Sequence, residues 1–270
     1  MGARLKHVAI VSNNYAILGR FYEALFGMQS FKGGRPDGAA AVTDGYVGLN
    51  INPRAPGRQA GFDHFGFEVD DVDTIFRRVD EAYPTVSYLR RPSNRPFAGI
   101  SMHDPAGNVF DLSQRGMTNR ADVYAATERQ SERTPRHLRH ITLRTVDPAG
   151  VAGFYRDLFD LAEQPKAADD PACYLSDGVV TFVIAPWNIA DYAGSGIERP
   201  ALDHLGFHVE DLDQFQADVE ALAGRNPTLR PGPLGLGPES TIRKGLLATC
   251  RLGQQQLADP DGVLIDVSAD

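Results

Sequence analysis

The chain has little of several features that mark common classes of protein. Its 270 residues include only two cysteines, Cys173 and Cys250, which form neither a disulfide framework nor a CxxC pair. Its apolar runs are far shorter than the roughly 18–20 residues that a membrane-spanning helix needs. The first residues, MGARLKHVAIV, lack the long apolar stretch of a signal peptide. We therefore expect a cytoplasmic protein that has no membrane partner.

Positive charge is also scarce. The chain carries 27 lysines and arginines against 35 aspartates and glutamates, a formal net charge of −8, and no basic block. Proteins that bind nucleic acid usually present a basic patch, so we expect no nucleic-acid partner. The hydrophobic share is an ordinary 42%, which allows a packed core, and the length of 270 residues suits one large domain or two of usual size.

Four blocks of sequence occur twice in the same order. They are LKHVAI (5–10) and LRHITL (138–143), GRFYEALFGM (19–28) and AGFYRDLFDL (152–161), FDHFGFEVDDVDTI (62–75) and LDHLGFHVEDLDQF (202–215), and DPAGNVFDLS (104–113) and DPDGVLIDVS (259–268). Such self-similarity indicates a tandem duplication. We predict an N-terminal domain at residues 1–115, a polar linker at 116–136 and a C-terminal domain at 137–270.

Each half consists of two successive modules, and each module has the pattern of one strand, one helix and then further strands. The apolar residues of block 19–28 recur at helical spacing and stop at Gly27, which predicts a helix whose Phe-Tyr pair packs in the core. In the strand HFGFEV, Phe65 and Phe67 point to one face and His64 to the other, because strand side chains alternate. We therefore predict an α+β fold in which an apolar sheet face covers the helices.

The opposite sheet face carries the same three residue types in both halves. They are His7, His64 and Asp111 in the first half and His140, His204 and Asp266 in the second. Two imidazoles and one carboxylate on three strands would bind a divalent metal and leave coordination positions open. A solvated histidine is the ordinary alternative for any one of them, but the set recurs in register. We predict a metal in at least one half, with an anionic oxygen ligand completing its coordination.

His208 lies on the same face as His204, four residues along the strand, which is about 13 Å. At that separation it is not expected to share a metal with His204. We predict it as a candidate catalytic acid or base.

These blocks resemble the vicinal oxygen chelate (VOC) superfamily, which includes glyoxalases, extradiol ring-cleaving dioxygenases and bleomycin-resistance proteins. The resemblance is carried by LKHVAI, FYEALFG, DHFGFEVDD and DPAGNVFDL and by their second copies. It implies four βαβββ modules paired into two VOC domains, each with a metal on its concave face. In two-domain extradiol enzymes the C-terminal half holds the iron, at positions that match His140, His204 and Asp266.

The resemblance implies a metal enzyme that acts on a small oxygen-rich molecule. An extradiol-type dioxygenase with Fe(II) is the first hypothesis, and Mn(II) and Zn(II) are the alternative metals. Two positions, Ser101 and Gln256, stand where extradiol enzymes tend to place a tyrosine. The last metal ligand is commonly glutamate, whereas both copies here have aspartate. A glyoxalase-like isomerase, lyase or hydrolase that does not use O₂ therefore stays open, as does a bleomycin-resistance-like binding protein.

Two further features concern assembly and the choice of half. Modules of this kind often pair, so a homo-oligomer is left open. The second half carries insertions at 187–200 and 230–240, and loops of this length are often lids. This favours the C-terminal half as the working one.

Overall fold

The computed structural model describes residues 2–30, 39–93, 97–117, 133–195, 197, 199–232, 234 and 238–269. Most of the predicted linker, 118–132, lies outside these residues. The first sheet contains β1 Arg4–Ser12, β2 Gln29–Ser30, β3 Ala40–Thr43, β4 Gly48–Pro53, β5 Gly61–Val69, β6 Tyr88–Arg90, β7 Ile100–His103 and β8 Val109–Gln114. The second contains β9 His137–Thr145, β10 Ala162–Glu163, β11 Cys173–Ser176, β12 Thr181–Pro186, β13 Ala201–His208, β14 Gln255–Ala258 and β15 Leu264–Ser268. The helices are α1 Tyr15–Phe26, α2 Val72–Ala82, α3 Pro148–Phe159, α4 Ile189–Ser195, α5 Leu212–Arg225 and α6 Pro238–Leu247, with a 3₁₀ turn at Pro227–Leu229.

The two sheets share one plan. Their strand orders are β2-β3-β4-β1-β5-β8-β7-β6 and β10-β11-β12-β9-β13-β15-β14. The first and last strands of a module pair in parallel, as β1 with β4 and β5 with β8, and β1 joins β5 antiparallel. This arrangement confirms the predicted α+β fold of paired VOC modules. In the described part of the fourth module one strand is replaced by a single bridge between Gly232 and Ala258.

The helices form where the apolar spacing predicts them. Helix α1 buries Phe21 and Tyr22 completely, which confirms that the Phe-Tyr pair belongs to the core. It ends at Gly27, whose φ of 66° is in the left-handed region that glycine adopts without strain. In the second half, Asp147 caps α3 by accepting from the Gly150 amide. None of the described helices is long and apolar enough to cross a membrane.

One apolar core joins the two halves. Phe26 of α1 stacks on Phe207 of β13 with ring centroids 4.0 Å apart, and Phe159 of α3 stacks on Phe67 of β5 at 4.5 Å. Each sheet therefore turns its apolar face towards a helix of the other half. The opposite faces, which carry the histidines, are left for the candidate sites.

The insertions of the second half are helical rather than irregular. Residues 187–200 contain α4, and the segment after 230 leads into α6, which packs against α4. Arg243 of α6 pairs with Asp203, and Arg144 donates to the Leu246 carbonyl, so α6 lies next to His204 on β13.

Candidate metal centres

A bulge in each histidine strand places an aspartate beside the histidine that follows it. In the pairing of β1 with β5, Ala9 is opposite His64 and Ile10 is opposite Phe62, so Asp63 is an extra residue. Asp203 is the extra residue at the same point of β13. A bulge breaks the alternation of faces, and Asp63 Oδ2 lies 2.7 Å from His64 Nδ1. The same distance separates Asp203 Oδ2 from His204 Nδ1.

This contact fixes the orientation of both rings. A carboxylate at Nδ1 favours a proton on that nitrogen and leaves Nε2 as the ligand atom, as in carboxylate–histidine–metal arrangements. Sequence reasoning missed Asp63 and Asp203, although the Asp-His pair that recurs in FDHFGFEV and LDHLGFHV carried the signal.

The N-terminal cluster brings together the three residues predicted for it. His64 Nε2 lies 3.2 Å from His7 Nε2 and 3.2 Å from Asp111 Oδ2. One ligand atom from each residue lies within 4.8 Å of the others. Ser101 Oγ donates to the second oxygen of Asp111 at 2.5 Å, and Arg91 donates to Ser101 at 2.8 Å. The carboxylate is therefore oriented by a short chain of side chains.

The C-terminal cluster brings together its three predicted residues and a fourth. His140 Nε2 lies 3.4 Å from His204 Nε2 and 3.0 Å from Asp266 Oδ1, and His204 Nε2 is 3.1 Å from Asp266 Oδ2. The Cys250 sulfur lies 3.6 Å from His140 Nε2. The Thr142 hydroxyl is also 3.0 Å from His204 Nε2. Cys250 was not predicted, because it lies in the inserted segment just after α6.

The glycine of the repeated motif makes room for these side chains. A Cβ on Gly206 would lie 1.9 Å from the His140 ring, because the two residues are opposite each other in β13 and β9. In the first half, a Cβ on Gly66 would lie 2.7 Å from the Phe97 ring, which stacks on His7 with centroids 4.8 Å apart. A larger residue at position 206 would therefore displace the His140 ring. A larger residue at position 66 would displace the Phe97 ring that stacks on His7.

His208 lies apart from both clusters. Its ring centroid is 4.8 Å from that of His137, and it belongs to neither group of potential ligands among the described residues. Its predicted acid or base role stays a prediction, and the geometry gives it no contact with the C-terminal cluster.

The two clusters differ in access to solvent. His140, His204, Cys250 and Asp266 are 1%, 0%, 6% and 0% exposed. By contrast, His64 and Asp111 line a cavity of about 1020 Å³. The cover that the insertions predicted for the C-terminal half is present as α6, but the C-terminal cluster is buried. The cluster that lines a cavity is the N-terminal one.

The wall of the cavity is rich in positive charge. Three arginines line it, Arg58, Arg91 and Arg199, against the two aspartates Asp63 and Asp111. Arg58 pairs with Asp63 at 2.5 Å, whereas Arg91 reaches Ser101. Apolar contacts are offered by Phe62, Val109 and Leu202.

The carboxylates hold protons on the histidines when no metal is bound. Burial alone would lower the pKa of His64, but hydrogen bonds and charge from Asp111 and Asp63 raise it to about 9. The pKa of His140 shifts in the same direction. Burial alone would lower it, but Asp266 and Cys250 raise it to about 9. Burial would raise the pKa of the Cys250 thiol, but the neighbouring His140 and His204 lower it to about 6.

Metal affinity should therefore rise with pH. Below about pH 9 the metal must displace a proton from His64 or His140, because both pKa values are raised and only the neutral imidazole binds. Between pH 7 and 9 we expect the apparent Kd to fall by up to about tenfold per pH unit, with proton release on binding. Calorimetric titration in buffers of different ionisation enthalpy measures both. An affinity that does not change over this range would contradict the proton competition.

Both clusters fit a divalent metal by the chemistry of their donors. The oxygens of the buried Asp266 carboxylate lie 3.0 Å from His140 Nε2 and 3.1 Å from His204 Nε2. A buried carboxylate is costly unless it is paired, and a metal ion held by the two neutral imidazoles would pair with it. In the first half, Asp63 holds His64 Nδ1 so that Nε2 points towards His7 and Asp111.

Comparison with known proteins gives a family match for part of the chain and a shared fold for the whole of it. Residues 4–112 match the family described as Glyoxalase/Bleomycin resistance protein/Dioxygenase superfamily. No curated protein matches the sequence of the chain.

Several solved structures share the fold. A Mn(II)-bound glyoxalase from Novosphingobium aromaticivorans superposes with a TM-score of 0.65 at 16% identity, covering 98% of this chain and 82% of that one. The 2,3-dioxygenase LapB from Pseudomonas sp. KL28 gives 0.62 at 17% identity, with 99% and 92% covered. An extradiol ring-cleaving dioxygenase from B. fuscum gives 0.63 at 16% identity, with 98% and 70% covered.

The family match covers the first half, and the shared fold extends over the second. Residues 4–112 therefore match the glyoxalase/bleomycin resistance/dioxygenase family, and the chain as a whole shares its fold with solved glyoxalase and dioxygenase structures.

Proposed function

We propose that the protein is a metal-dependent enzyme that binds a small, anionic, oxygen-rich substrate in the N-terminal cavity. His7, His64 and Asp111 would hold the metal. The observation that carries the proposal is the contrast between the clusters: His64 and Asp111 line a large cavity, whereas the C-terminal cluster is buried. A catalytic metal needs an open position for substrate, and the N-terminal cluster offers one.

The lining of the cavity supports an anionic substrate. A divalent metal with two neutral histidines and Asp111 keeps a net charge of about +1, and apart from Asp111 the wall has three arginines and one aspartate. A carboxylate or enolate would be attracted by this charge, and the side chains of Phe62, Val109 and Leu202 would contact an apolar or aromatic portion.

The residues around the cluster would fix its geometry. Asp63 would hold the His64 ring, and the chain from Arg91 through Ser101 would hold the Asp111 carboxylate. When bound, the metal would supply a Lewis acid that polarises the substrate oxygens. Arg91 and Arg199 lie where they could orient the remote anionic group of the substrate.

Extradiol-type ring cleavage with Fe(II) is the first reaction class that we propose. A non-redox isomerase, lyase or hydrolase reaction is the second, and a specific observation favours it. The position at which extradiol enzymes tend to have a tyrosine holds Ser101, whose hydroxyl is occupied by Asp111. The cavity therefore lacks a phenol at this point to exchange protons with substrate.

Activity with and without O₂ distinguishes the two classes. The protein, stripped of metal and reloaded with Fe(II), Mn(II) or Zn(II), is assayed on carboxylated catechols and on enolisable hydroxy or oxo acids. For a dioxygenase we expect turnover of a catechol only with Fe(II) and loss of turnover under argon. Turnover that is unaffected by argon and supported by Mn(II) or Zn(II) would select the non-redox class. Tight binding of these anions without turnover by any reloaded form would contradict an enzyme and favour a binding protein.

A further inference from the structure

We propose that His140, His204, Cys250 and Asp266 form a closed, four-coordinate zinc site with a structural role. The site would fasten the inserted segment that contains α6 to the second sheet. This inference does not rest on the N-terminal cavity or on its proposed activity.

The distances from His140 Nε2 to the His204 nitrogen and to the Cys250 sulfur match a tetrahedral site. Zinc binds imidazole nitrogen at about 2.0–2.1 Å and thiolate sulfur at about 2.3 Å. In a tetrahedron these lengths separate two nitrogens by roughly 3.4 Å and a nitrogen from a sulfur by roughly 3.6 Å. The observed distances are 3.4 Å from His140 Nε2 to His204 Nε2 and 3.6 Å from His140 Nε2 to Cys250 Sγ. The ligand atoms of all four residues lie within 4.8 Å of one another.

The charge and burial of the cluster favour four protein ligands. A divalent ion with two neutral histidines, one carboxylate and one thiolate is neutral overall, and a neutral centre suits a site whose members are at most 6% exposed. Three protein ligands alone would leave a buried positive charge and an open position with no solvent beside it. The backbone also closes on the cluster, because a Cβ on Gly253 would lie 2.3 Å from Asp266 Oδ2.

A nucleophilic cysteine is a poorer interpretation of the same residues. In a Cys-His-Asp triad the thiol and the carboxylate contact different nitrogens of the imidazole. At His140, Cys250 Sγ and Asp266 Oδ1 both approach Nε2, and so does His204 Nε2. His204 does have Asp203 at Nδ1, but Asp266 and His140 also lie on its Nε2 side, and the Cys250 thiol is only 6% exposed to an incoming substrate. Several donors that converge on one point are the arrangement of a metal site.

The position of Cys250 explains what the site would do. Cys250 lies in the turn after α6, where its amide donates to the Leu247 carbonyl. Arg243 of α6 pairs with Asp203 at 2.5 Å, and Arg144 of β9 donates to the Leu246 carbonyl at 3.2 Å. A zinc ion bound to Cys250 would add a third attachment between the insertion and the sheet.

The N-terminal cluster is the internal contrast. Its group of potential ligands has three members and contains no cysteine. A thiolate bound to metal in this protein would therefore come from Cys250 or from Cys173, which is half-buried in β11 and belongs to neither group of potential ligands. Cys173→Ser is thus a matched control for Cys250→Ser.

Cobalt substitution tests the proposal through the thiolate itself. The wild-type protein and both variants are loaded with Co(II), and the near-ultraviolet thiolate-to-Co(II) charge-transfer band is recorded. We expect the band, with the intense visible absorption of tetrahedral cobalt, in wild type and in Cys173→Ser, and loss of the band in Cys250→Ser. A band that persists in Cys250→Ser, or bound Co(II) without a thiolate band in wild type, would overturn the proposal.

A second measurement needs no variant at Cys250. Zinc is removed from the Cys173→Ser protein with a chelator, and alkylation of the remaining cysteine and the thermal midpoint are followed. We expect alkylation to accelerate at least tenfold and the midpoint to fall, with both effects reversed by added zinc. Unchanged alkylation and an unchanged midpoint after metal removal would refute a structural zinc, whatever the activity of the N-terminal site.

Discussion

His64→Ala should remove nearly all metal-dependent activity. His64 is the one histidine of the N-terminal trio whose side chain is partly exposed, at 21%, and it lines the cavity. Its loss leaves two protein ligands, which hold a divalent metal poorly. A bound metal contributes several kcal/mol of transition-state stabilisation, and each 1.4 kcal/mol is a factor of about ten in rate. We expect kcat/KM to fall on the order of 10³-fold.

The measurement is kcat/KM with the substrate and metal that the assays identify, together with the metal content of the variant. His103→Ala is the matched control, because it is also a strand histidine of the N-terminal half, but its ring contacts the Ser87 amide and the Asp104 carbonyl rather than a cluster; we expect its activity to change less than twofold. A His204→Gln variant tests the other half. Suppose that a folded His64→Ala variant kept its activity and that a folded, zinc-loaded His204→Gln variant lost it. The C-terminal cluster would then be the catalytic one.

Most of the candidate site could be predicted from strand alternation. The rule that neighbouring strand residues face opposite ways separated His64 from Phe65 and Phe67, and it separated Asp111 from Phe110. The two phenylalanines and Phe110 are fully buried, while His64 and Asp111 line the cavity. The repeat then transferred the same positions to the second half. Periodicity and duplication are patterns in the order of the residues, so the amino-acid sequence alone is enough to recognise them.

The residues that escaped prediction depend on departures from local rules. Alternation places Asp63 on the face opposite His64, and only the bulge in β5 brings them together. Cys250 reaches His140 through the fold of an insertion that has no counterpart in the first half. Cys250 lies outside the four repeated blocks, so neither the repeat nor a spacing pattern pointed to it. The insertions predicted a cover over the C-terminal cluster. How completely the cluster is buried depends on tertiary packing, which the sequence pattern does not show.

Asp203→Ala should be the most destabilising single substitution around the clusters. The Asp203 carboxylate, 3% exposed, lies 3.2 Å from Arg144 Nε, 2.5 Å from Arg243 and 2.7 Å from His204 Nδ1. Its removal leaves Arg144, itself 3% exposed, as a buried charge without its partner. Breaking a buried ion pair from one side typically costs about 3–5 kcal/mol of unfolding free energy, and we expect a loss of that size for Asp203→Ala.

Asp63→Ala is the matched control that the duplication supplies. Asp63 occupies the same bulge position, but its side chain is 19% exposed and its partner Arg58 is 54% exposed, so solvent can replace the pair. Exposed pairs contribute about 0–1 kcal/mol, and we expect the unfolding free energy to fall by no more than about 1 kcal/mol. The two sites therefore differ in exposure and in the number of arginine partners, which is two for Asp203 and one for Asp63.

Chemical denaturation of wild type and of the two variants measures both losses, and pH provides a further check. Burial would raise the pKa of Asp203, but His204 and the charges of Arg144 and Arg243 hold it far below its usual range. A carboxyl whose pKa is lower in the folded state stabilises the fold above its unfolded pKa of about 3.9 and loses that contribution as pH falls further. The deficit of Asp203→Ala should thus be complete at pH 7 and shrink only below about pH 4. Equal losses in Asp203→Ala and Asp63→Ala at pH 7 would mean that the burial of the second cluster adds nothing to its ion pairs.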